Sequence, residues 1–454
     1  MPQALVCLID ACDPQTCFAH CRAFTPVWLD SAQSGTDQSR YSFIAVDPFE
    51  RVIVDEFYNK KKCPFDLLAG KIKEYPLEKH PDLPPFQGGV AGMFAYELGA
   101  YLERLPRANS DTLHFPELIV GLYDVVIAWD HYLKKTWIFS SGYPEQDPQK
   151  RLMRAQERLQ WLKDLISHPP SKKTRSSTFL ASSVEANYSP EAYIAAVEEV
   201  KNYIVAGDIF QANIAQCFRA KLCPDFDAFE LYCTLRTHNP APFSAFMEYQ
   251  DCAIVSASPE RFLLLDADRT IQARPIKGTI RRSKNKAEDQ AFAQALLACE
   301  KNRAENIMIV DLMRNDLSRV CLPHTVKVPM LCGLESFATV HHLVSVVEGE
   351  LAPQYTAIDL LKATFPGGSV TGAPKIRAME IIAEIEPVVR GPYCGSMGYI
   401  GFDGSMDLSI IIRSFVIRSD TITFHAGGAV TVESDPQQEY QESLVKARAL
   451  KEIL

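Results

Sequence analysis

Several signals that would place a chain quickly are missing from this one. None of its 454 residues fall in an uninterrupted apolar run of about 18, so no membrane-spanning helix is expected. Positive charge is in short supply: 47 Lys and Arg stand against 56 Asp and Glu, a net charge of −9. No basic field therefore draws the chain to nucleic acid or an anionic bilayer, and an anionic small substrate would need a local cationic pocket. The opening MPQALVCLIDACDPQTC lacks the basic stretch and apolar core of a signal peptide, so the cytoplasm is the expected compartment. The 13 cysteines are too scattered for a disulfide scaffold. Cys7, Cys12, Cys17 and Cys21, with His20 among them, include no CxxC pair, which argues against a structural zinc. No internal repeat is visible. What is present, 47% hydrophobic and 23% charged residues, is the composition of a folded soluble protein. At roughly 150 residues per domain the length allows about three domains or one large α/β unit.

The one clear shift in composition is Ile166 to Tyr188, rich in Ser, Lys and Pro, which reads as an exposed connection between regions 1–165 and 189–454. Before it, Leu118–Trp129 has the β-branched and aromatic enrichment of buried strand, and Pro148–Asp164 reads as a helix. After it, Ser189-Pro190 opens a helix that Gly207 closes. Strands are expected at Ile209–Phe218, Ala253–Ala257 and Ser409–Ile417. A long helix is expected from Lys286 to Arg314, with others at Pro374–Ile385 and from Pro436. Strands and helices do not alternate as βαβ units, so antiparallel sheets with outer helices are expected rather than a doubly wound fold.

Five stretches carry candidate chemistry. Phe365-Pro-Gly-Gly-Ser-Val-Thr-Gly-Ala-Pro-Lys375 is a glycine-rich turn entering a helix. It fails the phosphate-loop pattern, because Ala373-Pro374 separates the last glycine from the lysine. In the last helix Glu439, Glu442 and Lys446 share one face, as a solvated Glu–Lys pair or as ligands of a hard cation. Glu305, set in a nearly continuous apolar stretch, needs a proton or a partner and supplies a third carboxylate, enough for a Mg²⁺ site shared with substrate. In Arg274-Pro-Ile-Lys277-Gly-Thr279, Lys277 points away from Ile276 and Gly278 leaves room for a ligand; the plain alternative is a surface lysine. Glu260, in Ser258-Pro-Glu-Arg-Phe262, is a candidate general acid if burial raises its pKa.

Taken together, GDIFQANIAQ (207–216), SASPERF (256–262), RPIKGT (274–279), RAENIMIVDLMRNDL (303–317), HHLVS (341–345), FPGGSVTGAPKIRAMEII (365–382), CGSMGYIGFDGSMDLSIIIR (394–413) and EYQESLVKA (439–447) resemble the chorismate-utilising enzymes. The resemblance runs in order through nearly all of 187–454. PPFQGGVAGMFAYELG (84–99) and PELIVGLYD (116–124) extend it towards the N-terminus. It implies an α/β (α+β) fold of two mainly antiparallel sheets packed together with helices outside. Gln211 stands where the isochorismate and salicylate branch carries a lysine that activates water, which disfavours that branch. Lys277 stands where anthranilate synthases read Ala, and it points to amination of chorismate at C4 in the p-aminobenzoate and folate branch; anthranilate formation is the alternative.

The resemblance also assigns roles. Lys277 becomes the nucleophile and Glu260 its acid. Glu305, Glu439 and Glu442 hold Mg²⁺ against the ring carboxylate of chorismate. Tyr393, Arg413 and Lys446, with backbone amides near Gly427 and Gly428, hold the enolpyruvyl carboxylate, and Gln211, His342 and Ser369 complete the substrate contacts. Ammonia is expected from a separate glutamine amidotransferase subunit in a heterodimer. Asp30, Ser31, Tyr41 and Ser42 resemble the segments that form a tryptophan pocket in this family, the alternative being ordinary strand and loop. The chain departs from the pattern at Asn302, where members often carry an acid, and at Ala429, which replaces a third glycine.

Overall fold

In the computed structural model, which describes residues 1–33, 37–167, 179–337 and 340–454, two antiparallel sheets of twelve and ten strands lie face to face. Strand Tyr41–Val46 shows why the sequence needs such continuous apolar runs. Successive side chains point to opposite faces. Phe43 and Ala45 enter the core between the sheets, where they join Val90, Met93, Leu122 and Leu408 of the other sheet. Ile44 and Val46 enter a second core beneath the outer helices, with Phe18, Leu162 and Leu231. Each such fully buried side chain contributes about 1.5–3 kcal/mol. A third, smaller core packs helices Pro190–Ala206 and Lys375–Ile385 on the end of strand Gln211–Lys221. In each sheet the strands from before the connection form one block and those from after it another, joined where Val27–Asp30 pairs with Phe243–Tyr249 and where Gly89–Phe94 pairs with Ser396–Gly401, so regions 1–165 and 189–454 build one unit.

Three of the expected elements are divided, each at a residue with a reason. Leu118–Trp129 becomes strands Leu118–Tyr123 and Val125–Asp130, which belong to different sheets. The chain crosses at Asp124, a fully buried carboxylate that burial pushes above its usual pKa and that Arg158 offsets with two hydrogen bonds of 3.2 Å. Ser409–Ile417 likewise becomes the end of Met406–Ile410 and the start of Ser414–Arg418, again in different sheets, and at the crossing Arg413 takes a left-handed φ of 53°. The helix expected from Lys286 to Arg314 is two, Lys286–Ala298 and Glu300–Ser318, because Cys299 between them is extended (ψ 105°). Apolar periodicity carries through all three breaks, so it cannot mark them.

Other expectations need smaller corrections. Ser189 and Gly207 (φ 86°) cap helix Pro190–Ala206 as read from the sequence. Pro374 precedes helix Lys375–Ile385 as its cap rather than opening it. Much of the expected connection lies outside the described residues, and within the described part Glu185–Ala186 pairs with Phe218 and Arg219 as a short strand. All 13 cysteines are free, and among the described residues no three His, Cys, Asp or Glu side chains are grouped to hold a metal ion. No helix of the described residues is long and apolar enough to cross a membrane.

Candidate active site

The sheet crossing at Arg413 and the glycine-rich turn meet at a cavity of about 570 Å³. It takes residues from strands Gln211–Lys221, Ile276–Arg281 and Thr421–Val430, from helices Glu300–Ser318 and Pro436–Lys451, and from the segments around Ser369 and Arg390. Strand Ile276–Arg281 is irregularly paired between Ile276 and Thr279, and Gly278 has φ 85°. A side chain at 278 would press within 2.9 Å of Asn302, so the glycine is required there. This kink turns Lys277 inward.

Lys277 is buried, and its Nζ donates to the Ser369 carbonyl at 2.9 Å. Burial lowers its pKa from the usual lysine value, against the charges of Glu305 and Glu260. Glu260 is 5% exposed, and burial pushes its carboxyl up to about 7, although the Ser369 hydroxyl and the Lys277 charge pull it down. A lysine whose pKa burial lowers and a carboxyl raised to about 7 thus face one space, a nucleophile beside a general acid. His342 bonds Thr279 Oγ1 through Nδ1 at 2.7 Å, and burial and the Arg413 charge lower it to about 4, so the ring is neutral at pH 7.

At the other end of the cavity the acids are paired with lysines. Glu439 Oε1 accepts from Lys301 Nζ at 2.8 Å and from Ser434 Oγ at 2.7 Å. Glu442 lies 2.6 Å from Lys446 Nζ, and Lys446 also donates to the Gly427 carbonyl at 2.9 Å. Burial pushes Glu442 up, but the charges of Lys446, Lys301 and Lys277 outweigh it and hold the carboxyl below its usual range. Glu305 moves the other way: burial raises it and the neighbouring Glu439 and Glu442 add to the rise, opposed by Lys277 and Lys301. The three carboxylates are not drawn together round one point here, but as oxygen donors they are of the kind a hard divalent cation takes, and such a cation would relieve the repulsion on Glu305. Gly428 fits the same purpose, since a β-carbon there would stand 2.9 Å from Glu439 Oε2 and 3.7 Å from Glu442 Oε1. At Gly427 it would stand 2.0 Å from the Ile214 carbonyl. Arg413 Nη1 donates to the Lys446 carbonyl at 2.8 Å, and Tyr393 stacks on His425 with ring centroids 4.9 Å apart.

Lys277, Glu260, Glu305, Glu442, His342, Ser369, Tyr393, Arg413, Gly427, Gly428 and Lys446 all line this cavity. Two candidates do not. Gln211 lies further along its strand than the lining residue Asn213, paired with Ala373, fully buried and with neither amide atom hydrogen-bonded. Glu439 stands behind Gly428, held by Lys301 and Ser434.

Asp30, Ser31 and Tyr41 line a separate cavity of about 240 Å³ with Arg261, Met397 and Tyr399. Ser42 lies behind it, donating to Asp30 at 3.1 Å and accepting from the Ser31 amide at 2.9 Å. Asp30 is already engaged by Arg236 at 2.6 Å and Tyr232 at 2.9 Å.

Arg390 is a wall residue that sequence reasoning missed. It is 3% exposed, forks onto Glu386 at 2.7 and 2.8 Å, and also donates to the carbonyls of Val370 and Asn213. Glu386 four residues before Arg390 in a helix-end sequence was the available signal. Replacing Arg390 by Met strands the Glu386 carboxylate, so Arg390→Met should cost about 3–5 kcal/mol, and adding Glu386→Leu should recover much of it. Thermal unfolding of both variants measures this; an unchanged midpoint in Arg390→Met would show that the pair does not brace the cavity wall.

With this geometry in place, the comparisons are specific. Residues 26–452 match the family described as chorismate binding enzyme. Anthranilate synthase component 1 of Thermus thermophilus is 42% identical over 375 residues, 83% of this chain and 79% of that one. Aminodeoxychorismate synthase component 1 of Escherichia coli is also 42% identical over 375 residues, 82% and 79% of the two chains. The crystal structure of anthranilate synthase component I from Streptococcus pneumoniae superposes with a TM-score of 0.79 at 31% identity, covering 91% of this chain and 93% of that one. The menaquinone-specific isochorismate synthase of E. coli shares the fold, with a TM-score of 0.77 at 19% identity over 100% and 95% of the two chains. The chain belongs to the chorismate-binding enzymes.

Proposed function

We propose that this chorismate-utilising enzyme is an aminodeoxychorismate synthase component 1, which replaces the C4 hydroxyl of chorismate with an amino group to give 4-amino-4-deoxychorismate for p-aminobenzoate and folate synthesis. The equal identity to one relative of each amination branch leaves the choice to the site. What carries the reading is Lys277: it is buried in the cavity between Glu260 and Glu305, at the position where the anthranilate branch reads Ala.

The neutral Lys277 amine bonds to C2 of the ring, the double bonds shift, and the C4–O bond breaks, the hydroxyl leaving as water with the proton of Glu260. Ammonia then bonds to C4, the double bonds shift back, and the C2–N bond breaks to return the lysine. The proton lost by the new ammonium restores Glu260. Chorismate and ammonia become aminodeoxychorismate and water. Arg413 and Lys446 place cationic charge where a carboxylate of the substrate would rest. Glu305, Glu439 and Glu442 would hold Mg²⁺, which supplies positive charge against the other substrate carboxylate.

Amination at C4 keeps the enolpyruvyl group, whereas anthranilate formation expels pyruvate. The purified chain, given chorismate, Mg²⁺ and ammonium, should consume chorismate without releasing pyruvate; pyruvate released in step with chorismate loss would overturn the proposal. Ammonia is assigned to a separate glutamine amidotransferase subunit, so glutamine should not replace ammonium until that subunit is added. Glutamine turnover by the chain alone would refute the assignment.

A further inference from the structure

Beside the substrate cavity lies a much smaller one of about 30 Å³, with room for about one or two molecules of water's size. It shares two lining residues with the substrate cavity, Arg390 and His425. Arg390 is spent on Glu386, Val370 and Asn213. His425 is the opposite case. It is 8% exposed, yet neither ring nitrogen has a hydrogen-bond partner. A buried polar group left unpaired is costly, and here two sit on one ring.

Strand Thr421–Val430 explains the placement. Thr423, His425 and Gly427 fall on one face at a spacing of two. Thr423 and His425 line the small cavity, and His425 and Gly427 line the large one, so the imidazole stands at the junction. Glu97, also in the lining of the small cavity, presents a third unpaired atom, Oε2, while its Oε1 accepts from the Arg390 amide.

We infer that the small cavity seats the ammonia that attacks chorismate, and that His425 is the residue that binds it and turns its lone pair towards the substrate cavity. The inference rests on the proposed amination and adds where the nucleophile waits. The size admits ammonia and shuts out amines of more than about two heavy atoms. Burial and the Arg390 charge hold His425 down at about 3, so its ring is neutral, with one nitrogen to accept an ammonia N–H.

The test is steady-state kinetics at one pH, with concentrations of free NH3. His425→Phe keeps the stack on Tyr393 and removes the acceptor. It should raise the KM for ammonia about tenfold, the loss of one ordinary hydrogen bond, with the KM for chorismate within about twofold. His425→Gln, which restores an acceptor, should recover part of the loss. An unmoved ammonia KM in His425→Phe, or an equal rise in both KM values, overturns the inference. If His425→Phe does not fold, His425→Gln and the wild type decide: propylamine should be used by the wild type at least about 100-fold less well than ammonia, and comparable use overturns the seat. Should the wild type form no amine from chorismate at all, the proposed function falls and this inference with it; amination by the wild type with unmoved variants removes the inference alone.

Discussion

Lys277→Ala should lose at least roughly 10³-fold in kcat with ammonium while folding normally, because the lysine supplies the first bond to the ring. An unperturbed lysine near pKa 10.4 would be neutral only about a few times in ten thousand at pH 7. Burial at position 277 lowers that pKa, and the bond to the Ser369 carbonyl holds Nζ in the cavity. With ammonia withheld, chorismate should leave a covalent adduct on the peptide that contains Lys277, visible by mass. Since the rest of the cavity remains in Lys277→Ala, any residual product should shift towards anthranilate. Glu260 gives the reaction a pH signature: its carboxyl, raised to about 7, is the proton donor only when protonated. At constant free NH3, kcat should therefore fall as pH rises through about 7, and Glu260→Gln should remove that limb. Wild-type rates in Lys277→Ala with no adduct would dismiss the covalent route.

The second large effect is expected from the carboxylates. Glu305→Gln removes one of the three acids proposed to hold Mg²⁺, and should weaken the apparent Mg²⁺ affinity in turnover by roughly 100-fold or more. It should leave the fold intact, since burial and the neighbouring Glu439 and Glu442 both press against the Glu305 charge, and a neutral amide relieves that repulsion. Titrating Mg²⁺ against activity, alongside a melting curve, checks both halves. Full turnover of Glu305→Gln at the wild-type Mg²⁺ demand would remove Glu305 from the metal.

What the sequence made legible follows from what local pattern encodes. Helix Pro190–Ala206 was readable because Ser189 and Gly207 are chemically specific caps. The breaks at Asp124, Cys299 and Arg413 were not, because each depends on which sheet or helix the next segment packs against, and the apolar pattern is the same on both sides. Glu305 stood out as a carboxylate in an apolar stretch, Lys277 by the glycine that follows it and Glu260 as an acid after Ser258-Pro259, and all three line one cavity. Gln211 looked equivalent from its motif, yet the strand carries it past the cavity to pair with Ala373. Arg390 escaped notice because its place in the wall depends on the Val370 and Asn213 carbonyls as well as on the nearby Glu386, and His425 because what marks it is the lack of any hydrogen-bond partner.

The central claim is that nitrogen enters at C4. Turnover of chorismate by the purified chain with ¹⁵N-ammonium, followed by NMR of the product, reads the attachment directly. The account requires ¹⁵N coupled to the C4 position of a non-aromatic ring that still bears its enolpyruvyl group. A label at C2 of an aromatic ring that has lost pyruvate would contradict it.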